Sequence, residues 1–404
     1  MSFYINKSIY PFYFVVINWI FLENINKMKL GVDLSILDEL EEFNPSFYYK
    51  KEKIEPFSFF KNHSGIDIVR LRLWVDPFDE NGNPYGGGTN DINAFLRLAK
   101  RAKENNMSVL LDFHFSDFYV DPSRQRLPKK WKDKSYKEVL SSLEEYVINT
   151  LSIIKKEDID IAAIQIGNEI SNGMLFPYGQ LDKQFSEENG GGFKGLASLL
   201  QVASSSSRKI YPNAKIIVHL EHSASKDMQE WFFSNLTKYF NDFDVIGESY
   251  YPYWHGGLSL LIENLTRLKA KYHKDIWLVE IGYEWGESLL PNHHHEFANR
   301  TEEEFQPNNI NGRIPYPITQ DGQTSYLKHL LKIAKEVGVS YVFYWEPCWV
   351  LKEGNGWAKE AGQIYCGLIP SKAENDWANE TLFDFSGNAT KAIDIFTNDF
   401  VNKL

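Results

Sequence analysis

The chain alternates two hydrophobic periods. Short runs rich in β-branched and aliphatic residues recur as "LGVDLS" (30–35), "DIVRLRLW" (67–74), "SVLLDFHF" (108–115) and "IAAIQIGNE" (161–169). They continue as "AKIIVHLE" (214–221), "DVIGESYY" (244–251), "IWLVEIGY" (276–283) and "SYVFYWEP" (340–347). Between them the apolar spacing lengthens to the helical period. "DINAFLRLAKRAKENN" places Ile92, Phe95, Leu96 and Ala99 on one face, with Asn106 near its C-cap. "SYKEVLSSLEEYVINTLSIIKK", "FKGLASLLQVASSSSRKI", "LSLLIENLTRLKAKY" and "QTSYLKHLLKIAKEVG" follow the same rule, the "SSSS" at 204–207 reading as a helix end. Runs that alternate with helices imply parallel strands, because each crossover between parallel neighbours needs a helix. The pattern predicts an α/β fold, a single (β/α)8 barrel with long βα loops.

An open doubly wound sheet is the competing architecture. It would place a glycine-rich phosphate turn after an early strand. "GNPYGGG" (82–88) is glycine-rich but follows a charged turn and lacks the strand–turn–helix context, so it reads as a flexible loop. No internal repeat and no Pro- or Ser-rich linker divides the chain.

The N-terminus departs from this pattern. Lys7 precedes "IYPFYFVVINWIFL", 14 mostly apolar residues from Ile9 to Leu22. That length suits a signal-peptide core and is short for a membrane span, yet "ENINKMKL" follows without a small-residue cleavage site. Met28 stands just before the first strand-like run. Residues 1–27 are set apart as an N-terminal extension, with signal, anchor and upstream start as open readings, and 28–404 as the barrel domain. The compartment follows the choice: outside the cell or at its surface for a signal or anchor, cytoplasmic for a start at Met28, with a slight lean to the last.

Composition narrows the function. Hydrophobic residues are 43% and charged residues 24%, ordinary globular usage. A net charge of −11 argues against nucleic acid, whose phosphates require a basic face. The 11 Trp, 22 Tyr and 28 Phe exceed what a core alone needs, and those near turn-rich segments suggest platforms for flat ligands. Cys348 and Cys366 are too few for a disulfide framework and have no metal spacing; two buried free thiols are expected over one bridge.

The strand ends carry the candidate chemistry, since in such barrels the C-terminal ends face a common bowl. They supply Arg70 and Arg72, then Asp112, His114 and Asp117, then Asn168 and Glu169. Later strands add His219, Ser249 with Tyr250, Glu280, and Trp345 with Glu346. Glu169 and Glu280 each end an otherwise apolar run, an unfavourable place for a charge unless it has a task. Three strands apart on the ring, they can converge. Two converging carboxyls with Arg, His and aromatics nearby suit glycoside hydrolysis, one acid protonating the leaving oxygen and the other attacking the anomeric carbon. Direct attack requires the two groups about 5 Å apart. Arg70 and Asn168 are candidate donors that keep the nucleophile ionised.

At these residues the chain resembles the arabinogalactan endo-β-1,4-galactanases of glycoside hydrolase family 53, within a clan of retaining (β/α)8 glycosidases. The likeness runs through "GVDLS" (31–35), "VRLRLWVDP" (69–77), "LDFHFSDFYVDP" (111–122), "IQIGNEISNGMLFPYG" (164–179), "GESYYPYW" (247–254), "LVEIGYEW" (278–285), "VFYWEPCWV" (342–350) and "ETLFDFSGNA" (380–389). It implies Glu169 as acid/base and Glu280 as nucleophile, Asn168 on the substrate 2-hydroxyl, and Arg70 beneath the nucleophile. It further implies Tyr250, His114 and Trp345 around the cleaved sugar, and Trp357 stacking on more distant sugars. The implied substrates are β-1,4-galactan or galacto-oligosaccharides, cut internally with net retention and without a cofactor by what is expected to be a monomer. A clan relative acting on mannan or cellulose, or a non-catalytic carbohydrate-binding barrel, are the rival readings. Some relatives hold a structural calcium between late loops, but "SLLPNHHHEFANRTEEEFQ" (288–306) does not carry that ligand set, so no metal is expected.

Other polar groups read as structure. Glu346 is expected to be an ion-paired support, His293–His295 an exposed loop and Glu302–Glu304 a solvated face. His114 reads as a sugar-binding residue rather than a metal ligand. Glu221, His222, Asp112 and Asp117 stay open between subsite and support. Glu248, where the family usually carries a small or apolar residue, is expected to face away from the bowl because strand faces alternate.

Overall fold

The computed structural model describes residues 28–181, 187–287, 289, 316–372 and 374–404. The N-terminal extension and the His293–His295 and Glu302–Glu304 segments lie outside the described residues. Among the described residues there are ten strands: β1 (Lys29–Asp33), β2 (Phe47–Tyr49), β3 (Glu52–Ile54), β4 (Ile68–Leu73) and β5 (Ser108–Phe113). They continue with β6 (Ile161–Ile166), β7 (Lys215–Leu220), β8 (Val245–Tyr250), β9 (Asp275–Ile281) and β10 (Tyr341–Tyr344). β2 and β3 form an antiparallel hairpin; the others close a parallel barrel in the order β1-β10-β9-β8-β7-β6-β5-β4.

The helices that return the chain are α1 (Pro56–Asn62), α2 (Ile92–Glu104), α3 (Tyr136–Lys156), α4 (Gly192–Ile210), α5 (Lys226–Leu236), α6 (Leu258–Tyr272) and α7 (Gln320–Val337). A last helix, α8 (Asn398–Lys403), follows β10. Their ends are written into the sequence. Glu55 caps α1 by accepting from the Phe57 and Ser58 N–H groups, with Pro56 in the first turn where its missing N–H costs nothing. Ser135 and Glu138 form a reciprocal capping box on α3. Asn106, just past α2, takes a left-handed φ of 53°, and Gly338 does the same after α7.

Inside the ring, Ile68, Leu110, Ala163, Ile217, Val245, Trp277, Val279 and Phe343 form one apolar layer. Large residues leave no room for others. A Cβ on Gly31 would overlap the Phe343 ring, so only glycine lets that ring fill the bottom of the barrel. Two residues further along the strands the inward positions become polar, at Asp33, Arg70, Asp112, Gln165 and His219; Ser249, four past Val245, and Glu280, next after Val279, join them. The change from apolar layer to polar layer within one barrel is what positions the site.

Candidate active site

The polar layer is organised around one guanidinium. Arg70 Nη1 donates to Asp33 Oδ2 at 2.8 Å, and Nη2 donates to Asp112 Oδ2 at 2.8 Å and to Asn168 Oδ1 at 2.9 Å. The same Nη2 lies 2.7 Å from Glu280 Oε1. Strands β1, β5 and β9 thus send three carboxylates to a side chain on β4. Burial costs a charge heavily unless partners surround it, and here they do. Arg72, two residues on, pairs with Glu346 and donates to the Gly87 carbonyl at 3.0 Å and Tyr119 Oη at 2.9 Å. Glu346 also accepts from the Ile36 N–H, a supporting role away from the cleft, and burial pushes its carboxyl up to about 8.

Glu280 is 7% exposed at the end of β9. The β8–β9 register shifts so that Ser249 pairs with Glu280 while Glu248 pairs with Leu278. This bulge turns Glu280 inward although Val279 before it also faces the barrel interior. Tyr251 Oη donates to Glu280 Oε2 at 3.2 Å. Burial raises the Glu280 carboxyl to about 7; the Arg70 charge opposes that rise, Asp112 and Asp33 add to it, and the Tyr251 bond lowers it.

Glu169 follows β6 in a left-handed conformation, φ 48°. Its Oε1 accepts from Ser249 Oγ at 2.7 Å. Burial, then the Glu280 and Glu221 charges, push its carboxyl well above the ordinary range. Among the described residues no cation pairs with it. Both acids line one cleft of about 620 Å³, together with Asp121, Pro122, Ser123, Glu221, His222, Tyr251, Trp254, His255, Trp345 and Trp377. A second cavity of about 300 Å³ shares Asp121, Trp345 and Trp377 with it and extends past Trp349 and Trp357. The two form one groove with Trp345 and Trp377 in edge-to-face contact, centroids 4.6 Å apart, at their junction.

The expected site residues divide by position. Glu169, Glu280 and Trp345 line the cleft, Trp357 lines its extension, and Arg70 and Asn168 lie directly beneath. His114, 5% exposed, lines neither cavity: it is held between Trp74 Nε1 at 3.2 Å and Asp112 Oδ2 at 3.0 Å, and so supports Asp112. Tyr250 also departs from the expectation. It is fully buried and turned out of the bowl, its hydroxyl donating to the Gly256 carbonyl at 2.8 Å. Tyr251 is the tyrosine in the cleft. The reason is strand alternation: Ser249 faces inward, so Tyr251 does and Tyr250 cannot. Glu248 obeys the same rule, buried behind the barrel against Gln229 of α5.

Of the residues open between subsite and support, Glu221 and His222 line the cleft, paired at 3.0 Å, whereas Asp112 and Asp117 are support, Asp117 accepting from the Lys129 N–H. Sequence reasoning misses Asp33, Gln165, Tyr251 and Trp377. Alternation along β1, β6 and β8 could have found the first three; Trp377 sits in an irregular loop without periodic signal. Both cysteines are free thiols, but only Cys348 is buried; Cys366 is partly exposed. Among the described residues no group of three or more His, Cys, Asp or Glu side chains is arranged to hold a metal ion. The segment expected to lack calcium ligands falls almost wholly outside the described residues.

Comparison with known proteins places this arrangement. The sequence profile of glycosyl hydrolase family 53 matches residues 29–396. An endo-beta-1,4-galactanase of Bacillus subtilis is 30% identical over 402 residues, covering 93% of this chain and 87% of that protein. An arabinogalactan endo-beta-1,4-galactanase of Cellvibrio japonicus is 29% identical, covering 92% of this chain and 91% of its own. Among solved structures, the family 53 catalytic domain of Ignisphaera aggregans superposes with a TM-score of 0.78 at 30% identity, covering 93% of this chain and 96% of that one.

Proposed function

This chain belongs to glycosyl hydrolase family 53, and from that premise we propose how its cleft performs the family's chemistry. It is an endo-β-1,4-galactanase, acting on galactan and type I arabinogalactan. One observation carries the assignment of roles: two carboxyls share a cleft, and of the two, among the described residues, only Glu280 has a cation, Arg70, at 2.7 Å. The first proton lost from the pair therefore leaves Glu280, while Glu169 keeps its own.

In the first step a Glu280 oxygen attacks the anomeric carbon and the glycosidic C–O bond breaks. The leaving oxygen takes the Glu169 proton. In the second step the Glu169 carboxylate removes a proton from water, whose oxygen bonds to the anomeric carbon as the Glu280 ester is released. Two displacements give net retention. Asn168, whose Nδ2 donates one hydrogen to the Val120 carbonyl at 3.1 Å, is assigned to the substrate 2-hydroxyl through its second. The tryptophans along the groove offer faces for successive sugar rings, and a groove running beyond the central cleft suits internal cleavage of a polymer. Neither step calls for a cofactor.

The test is release of reducing ends from linear β-1,4-galactan beside mannan and cellulose. Product from galactan alone is expected; product only from mannan or cellulose overturns the substrate assignment. Proton NMR of the first product formed should show the β anomer, and an initial α anomer would refute the two-step mechanism.

A further inference from the structure

Beneath Glu169 lies a hydrogen-bond chain whose direction can be worked out from its far end. Gln165 Nε2 donates to Asp112 Oδ1, which fixes its amide: the reverse orientation would set two oxygens against each other. Asn168 is fixed likewise, its Oδ1 accepting from Arg70 and its Nδ2 donating to Val120. His219 is fully buried beside both. Its Nδ1 faces two donors, Gln165 Nε2 at 3.0 Å and the Glu169 N–H at 3.4 Å. It also lies 3.1 Å from Asn168 Oδ1, which already accepts from Arg70, but the backbone N–H of Glu169 can only donate, and Nδ1 meets it as an acceptor. Nδ1 is therefore an acceptor. Burial, then the Arg70 charge, holds the ring well below the ordinary imidazole range, so it is neutral and its one hydrogen sits on Nε2.

From there the chain has one polarity. His219 Nε2 donates to Ser249 Oγ at 2.9 Å. The Ser249 hydroxyl, already accepting from the ring, turns its hydrogen to Glu169 Oε1 at 2.7 Å. Among the described residues nothing bonds Oε2 of Glu169. We propose that Ser249 and His219 are positioning residues that keep Oε1 of Glu169 an acceptor in every protonation state, so that the transferable proton always resides on Oε2. This rests on Glu169 being the proton donor. The relay needs no proton movement of its own. It gives the acid a fixed carboxyl plane and a single loaded oxygen, where a carboxyl without such a donor could present either.

The acidic groups facing Glu169 are Glu280 from β9, Glu221 after β7 and Asp121 in the loop after β5; the imidazoles on the same cleft are His222, paired with Glu221, and His255. Against the acids, the Ser249 hydroxyl is the neighbour that lowers its proton affinity. Removing that hydroxyl should raise the affinity as well as free the carboxyl to rotate.

The experiment compares Ser249→Ala, Ser249→Thr and Glu169→Gln on aryl β-1,4-galactobiosides whose leaving groups span a range of acidity. For Ser249→Ala, kcat/KM should fall roughly tenfold to a hundredfold with the least acidic leaving group, the loss of a hydrogen bond to an ionisable partner. With dinitrophenolate, which departs without proton assistance, it should change less than about threefold. The alkaline limb of kcat/KM should move up by about one pH unit or less. Ser249→Thr should restore both. A loss equal for all leaving groups with the limb unmoved overturns the relay. So does a nitrogen-15 spectrum placing the His219 hydrogen on Nδ1. Glu169→Gln separates this failure from that of the acid assignment: a steep leaving-group dependence there with a flat one in Ser249→Ala sinks the relay alone. A flat dependence in Glu169→Gln sinks the proton-donor role itself.

Discussion

The two flanks of the cleft are built from opposite electrostatics. On the β9 flank, Glu280 rests on a buried guanidinium and accepts from a tyrosine. On the β6 flank, Glu169 has a serine hydroxyl and faces further acids. Both carboxyls are raised by burial, so desolvation alone would make them alike. The difference comes from one strand: Arg70 on β4 points toward β9 and β5, and its charge settles which acid ionises first. Role follows from the neighbour's charge more than from depth.

The sharpest way to break that contrast is to remove the proposed nucleophile. Glu280→Gln should leave the fold intact and lower galactan turnover by at least about 10⁴-fold, checked by reducing-sugar release and circular dichroism. Retained turnover would end the mechanism. Next in size is Arg70→Met, which strands the fully buried Asp112 without its cation and leaves the fully buried Asp33 only Arg72, 3.9 Å away. It should cost about 3–5 kcal/mol of unfolding free energy, read from the urea midpoint. An unchanged midpoint would show that the guanidinium is not the keystone of the polar layer.

Tyr251→Phe tests the β9 flank more gently. It deletes a donor to Glu280 and should lower kcat roughly tenfold. The acid limb of kcat/KM, where Glu280 must be ionised, should also shift upward, because the lost bond favoured the charged form. Tyr250→Phe should leave both untouched, since its hydroxyl serves the Gly256 carbonyl.

The smallest effect concerns stability. Glu169 holds its proton more tightly folded than unfolded. The folded state is therefore penalised as pH rises above the ordinary carboxyl value of 4.5 and through the raised one. Glu169→Gln should melt at a higher temperature than the parent at pH 8 and nearly the same at pH 4. Equal midpoints at both would mean that burial imposes no such penalty.

Much of the barrel is legible in the amino-acid sequence. The eight barrel strands fall on the eight runs, within one or two residues at their starts, because full burial leaves continuous apolar stretches. The β2–β3 hairpin escapes notice: in "FYYKKEKI" four charged residues in succession, 50–53, break the apolar signature of a strand. Glu169 and Glu280 stand out because a charge closing an apolar run is conspicuous. Tyr250 is misread for a plain reason. The alternation that correctly turns Glu248 outward also turns Tyr250 outward, two positions further, and brings Tyr251 in. His114 looks accessible at a strand end, yet Trp74 and Asp112 enclose it, and contacts between strands leave no trace in the spacing of one.

The first barrel strand hydrogen-bonds the last, Lys29 beside Tyr341, and Arg70 draws its carboxylates from β1, β5 and β9. A ribosome delivers Asp33 early and Glu280 far later, so the growing polypeptide carries incomplete fragments of its catalytic apparatus for most of its synthesis. Hydrolytic competence should switch on only at ring closure. Released activity could then serve as a clock for the final docking event in refolding, with the N- and C-terminal halves inert apart and active once recombined.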